Sequence, residues 1–202
     1  IIAKYLESIK KSKIIAIIDR EDIQAEIIMR SYGIKNFRYL KNPSLISEII
    51  FFIKSFFLIE KIKTFKNFLN YKKNKIHFGK IVIEHVIRHT GKPYVEKLDF
   101  KVCYHLSRAF LLEKKIEKIF EEFPSKSMVM SENQFLPSGV IFQKALTNNI
   151  NVYGRSGAPR KISVIKFSSP DEIYTERAQV SKKFYSLITK KNINFLSKQG
   201  KK

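Results

Sequence analysis

Polar side chains follow a short apolar run near residue 130. Glu132 and Asn133 come shortly after the apolar residues 128–130, and Pro137 then opens a helical pattern. Residues 150–153 resume extended structure, so the whole stretch predicts a strand, a polar loop, a helix and a strand. Ligands of parallel α/β sheets bind just past the carboxyl ends of the strands, where Glu132 and Asn133 would lie. An ordinary capped loop has the same pattern.

Histidines form a second group of candidates. His77, His85 and His89 fall within one short segment, and the last two are four residues apart. They share one face if the segment is helical. An imidazole titrates near neutral pH, so one of them could act as a base or hydrogen-bond donor beside a sugar or phosphate. A surface helix with polar histidines explains the same spacing equally well.

The sequence does not predict a metal site. Glu84 precedes His85 and therefore lies outside the histidine pair, so the His-Glu-x-x-His zinc pattern is not formed. Two histidines also lack a third ligand. Cys103 is the single cysteine, which excludes an intrachain disulfide. Its apolar helical neighbours predict a reduced core thiol, as expected in the cytoplasm.

Arginines supply candidate anion contacts. Arg88 lies one helical turn beyond Glu84, so its guanidinium could pair with that carboxylate or with a phosphate. Arg155 and Arg160 belong to the glycine-containing stretch 154–160, which could form an anion loop. The stretch matches neither the Walker spacing nor the dinucleotide fingerprint, and a plain connecting turn is the simpler interpretation.

The charge of the chain does not by itself predict a nucleic-acid partner. The net charge is +21, but 31 of the 39 basic residues are lysines and only 8 are arginines. Lys, Ile, Asn, Phe and Tyr are residues of A/T-rich codons, and the chain contains 30 isoleucines. Base bias therefore explains most of the excess charge. Arginine, which is favoured for phosphate and base contacts, is not enriched.

The elements that must position these candidates alternate between strands and helices. Residues 13–19 and 34–40 predict two strands joined by a helix, with Asp19 able to cap that helix. A Phe- and Lys-rich helical segment follows Pro43 and extends to about Tyr71. We expect it to be buried against the sheet. The alternative is a helix resting on anionic lipid, with its lysines near the headgroups: Lys54, Lys61, Lys63 and Lys66.

The second half of the chain completes the pattern. Residues 101–123 give the clearest amphipathic helix, which Pro124 ends, and 162–167 predict another strand. We therefore expect an α/β fold: a three-layer Rossmann-like domain with a mostly parallel sheet. One domain would span 1–190, with a helical insertion at about 44–75. Residues 191–202 would form a polar tail or the start of a linker to a further domain.

A resemblance to a known family adds to this. The segments 78–90, 132–153 and 168–174, with the long helix between the first two, resemble bacterial surface-carbohydrate proteins. More narrowly, they are similar to the N-terminal half of capsular polysaccharide or lipopolysaccharide glycosyltransferases with the two-domain GT-B architecture. The similarity covers roughly 13–40 and 78–188, through loose patterns and not fixed signatures.

The resemblance implies transfer of a sugar from an activated nucleotide donor to a surface glycan. In such enzymes the N-terminal domain mainly holds the acceptor, here a glycan or lipid-linked acceptor, and the C-terminal domain holds the nucleotide sugar. We therefore expect no cofactor on this chain, and no activity of the chain alone. The implied site is Gly79, Glu84, His85, Arg88, Glu132 and Asn133. In this site, Glu132 or His85 would be the base, and Arg88 or Arg155 would steady phosphate charge.

Two other functions stay open. The chain could be a non-catalytic module that binds a nucleotide or polyanion through Arg155 and Arg160. It could also be a membrane-peripheral accessory protein that uses residues 45–70. The expected location is the cytoplasm, with contact to the inner face of the cell membrane as a further possibility.

Overall fold

A computed structural model describes residue 8 and residues 13–19, 22–40, 43–156 and 163–174. The strands are β1 (Ala16–Asp19), β2 (Phe37–Leu40), β3 (Ser127–Met130), β4 (Asn151–Ser156) and β5 (Ser163–Phe167). The helices are α1 (Ile23–Ser31), α2 (Leu45–Ile62), α3 (Phe65–Leu69), α4 (Phe78–Thr90), α5 (Phe100–Glu122) and α6 (Ser138–Thr147).

Two parallel βαβ units organise the described strands. In the first unit, β1, α1 and β2, Ala16 pairs with Phe37 and Asp19 pairs with Leu40. The helix cap expected at Asp19 is wrong, because the side chain of Asp22, three residues further on, accepts the backbone N–H of Ala25 at 2.9 Å.

The second unit contains β3, α6 and β4 and follows the predicted strand-loop-helix-strand order. β3 runs parallel to β4, and β5 adds an antiparallel edge. After α6, Asn149 takes a left-handed φ of 58°, a conformation that asparagine adopts more readily than most residues at a helix end. Ile150 is then buried, and β4 begins at Asn151. The chain therefore passes from helix to strand within three residues.

The main core lies between helices. α5 packs against α2, α4 and α6, and it buries Leu106 and Ile116 completely. Cys103 is also buried there, and burial raises the pKa of its thiol to about 11. A protonated core thiol, as the sequence predicted, is the result.

The α/β class is confirmed in a coarser form than predicted. The described strands divide into a two-stranded parallel sheet and a mixed three-stranded sheet, and helices supply most of the core between them. The mostly parallel single sheet is therefore not seen in the described residues. A three-layer Rossmann-like arrangement stays a prediction.

The predicted helix from 44 to about 71 is interrupted. α2 ends where Lys63 takes a φ of 62°, and the Thr64 hydroxyl then accepts the backbone N–H of Asn67 to start α3. α2 buries Ser55 and Ile59 but leaves a long apolar face exposed. Burial, the expected outcome, therefore holds for one side of the helix only.

None of the described helices combines the length and the apolar character that a membrane span requires. The predicted tail 191–202 and Arg160 lie outside the described residues.

Candidate functional site

Three imidazoles meet where α4 crosses α5. His85 and His89 lie one turn apart on α4, with ring centroids 6.0 Å apart and planes within 12° of parallel. His105 of α5 approaches them edge to face, at 4.6 Å from the His85 ring and 5.9 Å from the His89 ring. The shared helix face predicted for His85 and His89 is confirmed. The contribution from α5 was not predicted.

The imidazole cluster lines a cavity of about 340 Å³. Both strands of the first sheet end at this cavity, β1 with Asp19 and β2 with Leu40. Leu136 and Pro137, from the loop that follows β3, complete the wall. The cavity therefore lies beyond the carboxyl ends of β1 and β2 and beside the loop that follows β3, and the ligands of α/β proteins usually bind at such a sheet edge.

Burial keeps two of the imidazoles neutral near pH 7. Burial, the nearby imidazoles of His85 and His89, and Arg108 together lower the pKa of His105 to about 4. Burial, then His89 and Arg88, also lower the pKa of His85. A neutral imidazole has a free nitrogen lone pair, so each of these rings can accept a proton or hydrogen bond from a hydroxyl.

α5 also brings cations to the same wall. Arg108 and Lys115 line the cavity one and three turns beyond His105. Burial and the charge of Arg108 lower the pKa of Lys115, while Asp19 and Glu48 act in the opposite direction. This face of α5 therefore combines an imidazole with two cationic side chains in a partly dehydrated setting.

Arg88 joins the two site segments that the sequence predicted separately. Its Nη1 lies 3.6 Å from Oε2 of Glu132, and its guanidinium lies 4.4 Å above the Phe135 ring. Oε1 of Glu132 accepts the backbone N–H groups of Asn133 and Gln134 at 2.8 and 3.1 Å. Glu132 thus stabilises the turn of its own loop through two backbone hydrogen bonds and also forms a solvent-exposed ion pair with α4.

The remaining predicted site residues lie elsewhere. Gly79 is buried where α4 meets α3, and a Cβ there would overlap the carbonyl oxygen of Phe68, which gives this glycine a packing role. Glu84 is half-buried, and neither residue is among the described side chains that line the cavity. Arg155 lies in β4, and only its backbone is described. Substrate contact by Gly79, Glu84, Asn133, Arg155 or Arg160 stays a prediction.

His77 belongs to a different polar cluster. Its ring is buried, and its Nε2 lies 2.8 Å from Oδ1 of Asp171. Its backbone N–H donates to Oε1 of Gln143 at 2.8 Å, and Nε2 of Gln143 donates to the Tyr174 hydroxyl at 3.2 Å. Burial and Lys72 lower the pKa of His77, partly offset by Asp171. These contacts tie the start of α4 to α6.

Sequence reasoning missed His105, Arg108 and Lys115. Their spacings of three and seven residues place them along one side of α5, which the apolar periodicity had assigned to the core. The sequence signal that could have identified them is that these three polar side chains interrupt the apolar stripe of α5. Within the part of the chain that the structure describes, no group of three or more His, Cys, Asp or Glu side chains is arranged to hold a metal ion.

No family model, curated protein or solved structure matched this chain.

Proposed function

We propose that this chain is the acceptor-side α/β domain of a glycosyltransferase of bacterial surface-polysaccharide assembly. Such an enzyme transfers a sugar from an activated nucleotide donor to a glycan or lipid-linked acceptor. The observation that supports the proposal is the cavity beyond the strand ends, which carries the neutral imidazoles of His85 and His105. The similarity of residues 78–90 and 132–153 to capsule and lipopolysaccharide glycosyltransferases supplies the reaction class.

The chemistry required of an acceptor domain fits neutral imidazoles. In glycosyl transfer the acceptor oxygen bonds to the anomeric carbon of the donor, the nucleotide leaves, and the hydroxyl proton passes to a base. Of the two bases predicted from the sequence, His85 lines the cavity. Glu132 instead holds its own loop and Arg88. We therefore assign proton acceptance to His85, and to Glu132 the positioning of the loop beside it.

Acceptor binding tests the proposal without requiring a donor domain. Saturation-transfer NMR of the chain with capsular and lipopolysaccharide-core oligosaccharides should show transfer to the glycan and chemical-shift changes at His85 and His105. His85→Gln should reduce both signals. Lys118→Gln, on an exposed site of α5, is the matched control and should leave them unchanged. Binding of nucleotides but of no oligosaccharide would support a non-catalytic nucleotide-binding module instead.

The exposed face of α2 favours peripheral membrane contact as a second candidate function. Seven large apolar side chains of α2 are 40–72% exposed: Leu45, Ile46, Ile49, Ile50, Ile53, Phe56 and Phe57. Lys54 and Lys61 extend the line of Ile50 and Phe57 along the helix. An apolar helix face with adjacent lysines suits the headgroup region of an anionic bilayer.

Vesicle flotation tests this contact. The chain should float with phosphatidylglycerol vesicles, and Ile50→Ser together with Phe57→Ser should abolish flotation. Lys54→Glu with Lys61→Glu should weaken it strongly and remove its salt dependence. Flotation that is unaffected by either pair would exclude α2 as the contact.

A further inference from the structure

Positive charge is concentrated on one wall of the cavity. Arg108 and Lys115 project from the same side of α5, two helical turns apart, and His105 lies one turn before Arg108. Among the described residues that line the cavity, Asp19 is the single carboxylate. The cavity lining therefore contains an arginine, a lysine and three imidazoles but a single carboxylate.

These cations are incompletely neutralised by the protein. The closest approach of Arg108 to Glu48 is 3.7 Å, between Nη1 and Oε1, which is longer than a charge-assisted hydrogen bond. The pKa of Lys115 is lowered because burial and Arg108 outweigh Asp19 and Glu48. An anion in the cavity would lower the electrostatic energy of both side chains.

We propose that this cavity binds a phosphate group, as a monoester or a diphosphate, between Arg108 and Lys115. The volume of about 340 Å³ accommodates a diphosphate with part of an attached sugar. The inference rests on the proposed function for the identity of the ligand: the acceptor carries its phosphate close to the hydroxyl that reacts. Arg108 and Lys115 then hold the phosphate while His85 faces the hydroxyl.

Binding of such an anion is coupled to pH through the imidazoles. The titratable and charged groups around them are His85, His89 and Arg88 from α4, Tyr104, His105, Arg108 and Lys115 from α5, Asp19 from β1 and Glu48 from α2. A phosphate adds negative charge beside His85 and His105 and so raises the lowered pKa values of these two rings. Binding then takes up protons at pH values just above the pKa that His105 has without a bound anion, which is about 4.

Calorimetry with inorganic pyrophosphate tests the site in isolation from glycosyl transfer. Arg108→Gln and Lys115→Gln should each weaken binding about tenfold or more, as expected when a charged hydrogen bond to phosphate is lost. Lys118→Gln is the matched control for the high net charge of the chain, and its affinity should stay within about threefold of the wild type. At about pH 5, close above the pKa of His105, His105→Gln should reduce the number of protons taken up on binding.

Two results would overturn the inference. One is the absence of pyrophosphate binding at millimolar concentration, and the other is an equal loss of affinity in Arg108→Gln, Lys115→Gln and Lys118→Gln. Oligosaccharide binding without pyrophosphate binding would reject the phosphate site and leave the proposed function standing. Pyrophosphate binding without oligosaccharide binding would reject the proposed function and leave the phosphate site standing.

A second measurement identifies the source of the phosphate. Phosphatidylcholine vesicles that contain a few per cent of a long-chain polyprenyl diphosphate are sedimented with the chain, with and without free pyrophosphate. Sedimentation that pyrophosphate and Arg108→Gln both abolish identifies a lipid-linked ligand. Pyrophosphate binding in solution without sedimentation identifies a water-soluble phosphorylated ligand.

Discussion

The two βαβ units have the same topology but bury their helices to very different extents. α6, in the unit with β3 and β4, buries eight consecutive residues from Gly139 to Leu146. α1, in the unit with β1 and β2, buries none, and Ile23, Ile27 and Ile28 are 54–67% exposed. Similar apolar content therefore gives a core helix in one unit and a surface helix in the other.

The difference arises from what packs on each helix. α6 contacts α5, α4 and both strands of its own unit, whereas the first unit has a separate small core of Ala16, Ile18, Ile34 and Phe37. The cavity lies between the two units, because Asp19 and Leu40 come from one and Leu136 and Pro137 from the other. Leu40 reaches the main core from the first unit, whereas the rest of the buried apolar residues of that unit form the separate small core.

The largest expected effect is in the well-packed unit. Phe142 of α6 is completely buried and meets Phe167 edge to face, with ring centroids 5.0 Å apart. Phe142→Ala should lower the free energy of unfolding by about 3–5 kcal/mol, because it removes apolar contacts and leaves a cavity. Urea denaturation followed by circular dichroism measures this. A loss below about 1 kcal/mol would show that α6 is not part of the stable core.

A buried amide gives the next largest effect. Gln143 is fully buried, accepts the His77 backbone N–H and donates to the Tyr174 hydroxyl. Gln143→Leu keeps the volume but leaves that N–H without its acceptor, so we expect a loss of about 1–3 kcal/mol. Gln24→Leu is the matched control, because Gln24 is exposed on α1. Equal effects of the two substitutions would remove the contrast between the units.

The same contrast separates what the sequence could predict from what it could not. The elements of both units were predictable, since Gly33 and Asn149 mark helix ends locally and residues 13–19 and 128–130 are short apolar runs. The sequence could not predict which of the two helices would be buried by neighbouring elements. Both α1 and α6 carry apolar residues, and burial depends on tertiary neighbours.

The candidate site shows the same limit. His85 and His89 share a face by local periodicity, so their proximity followed from the sequence. His105 is 16 residues beyond His89 and on another helix, so its proximity to the two other imidazoles depends on how α4 and α5 cross. Arg88 and Glu132 are 44 residues apart in the sequence, so their contact likewise depends on the tertiary fold and not on local periodicity.

Acid should destabilise the chain through the half-buried imidazole of His105. The pKa of His105 is about 4 in the folded chain against 6.5 for the unperturbed group, so the unfolded state binds more protons between these values. Stability therefore falls as the pH decreases from about 6.5 to about 4. In urea titrations across this range, His105→Gln should have a shallower pH dependence than the wild type, and Lys118→Gln should match the wild type. An unchanged slope in His105→Gln would contradict the lowered pKa of this half-buried ring.

The smallest effect is expected on α1. Ile27 is 61% exposed, so Ile27→Ala should change the free energy of unfolding by no more than about 0.5 kcal/mol, the usual range for a surface position. Urea denaturation of the dilute chain tests this, with sedimentation analysis to monitor self-association. A loss above about 1 kcal/mol would mean that the apolar side of α1 is covered in solution. Because β1 and β2 carry one wall of the cavity, such a cover would also restrain Asp19 and Leu40, and the contrast between the two units would then be a contrast between internal and external packing partners.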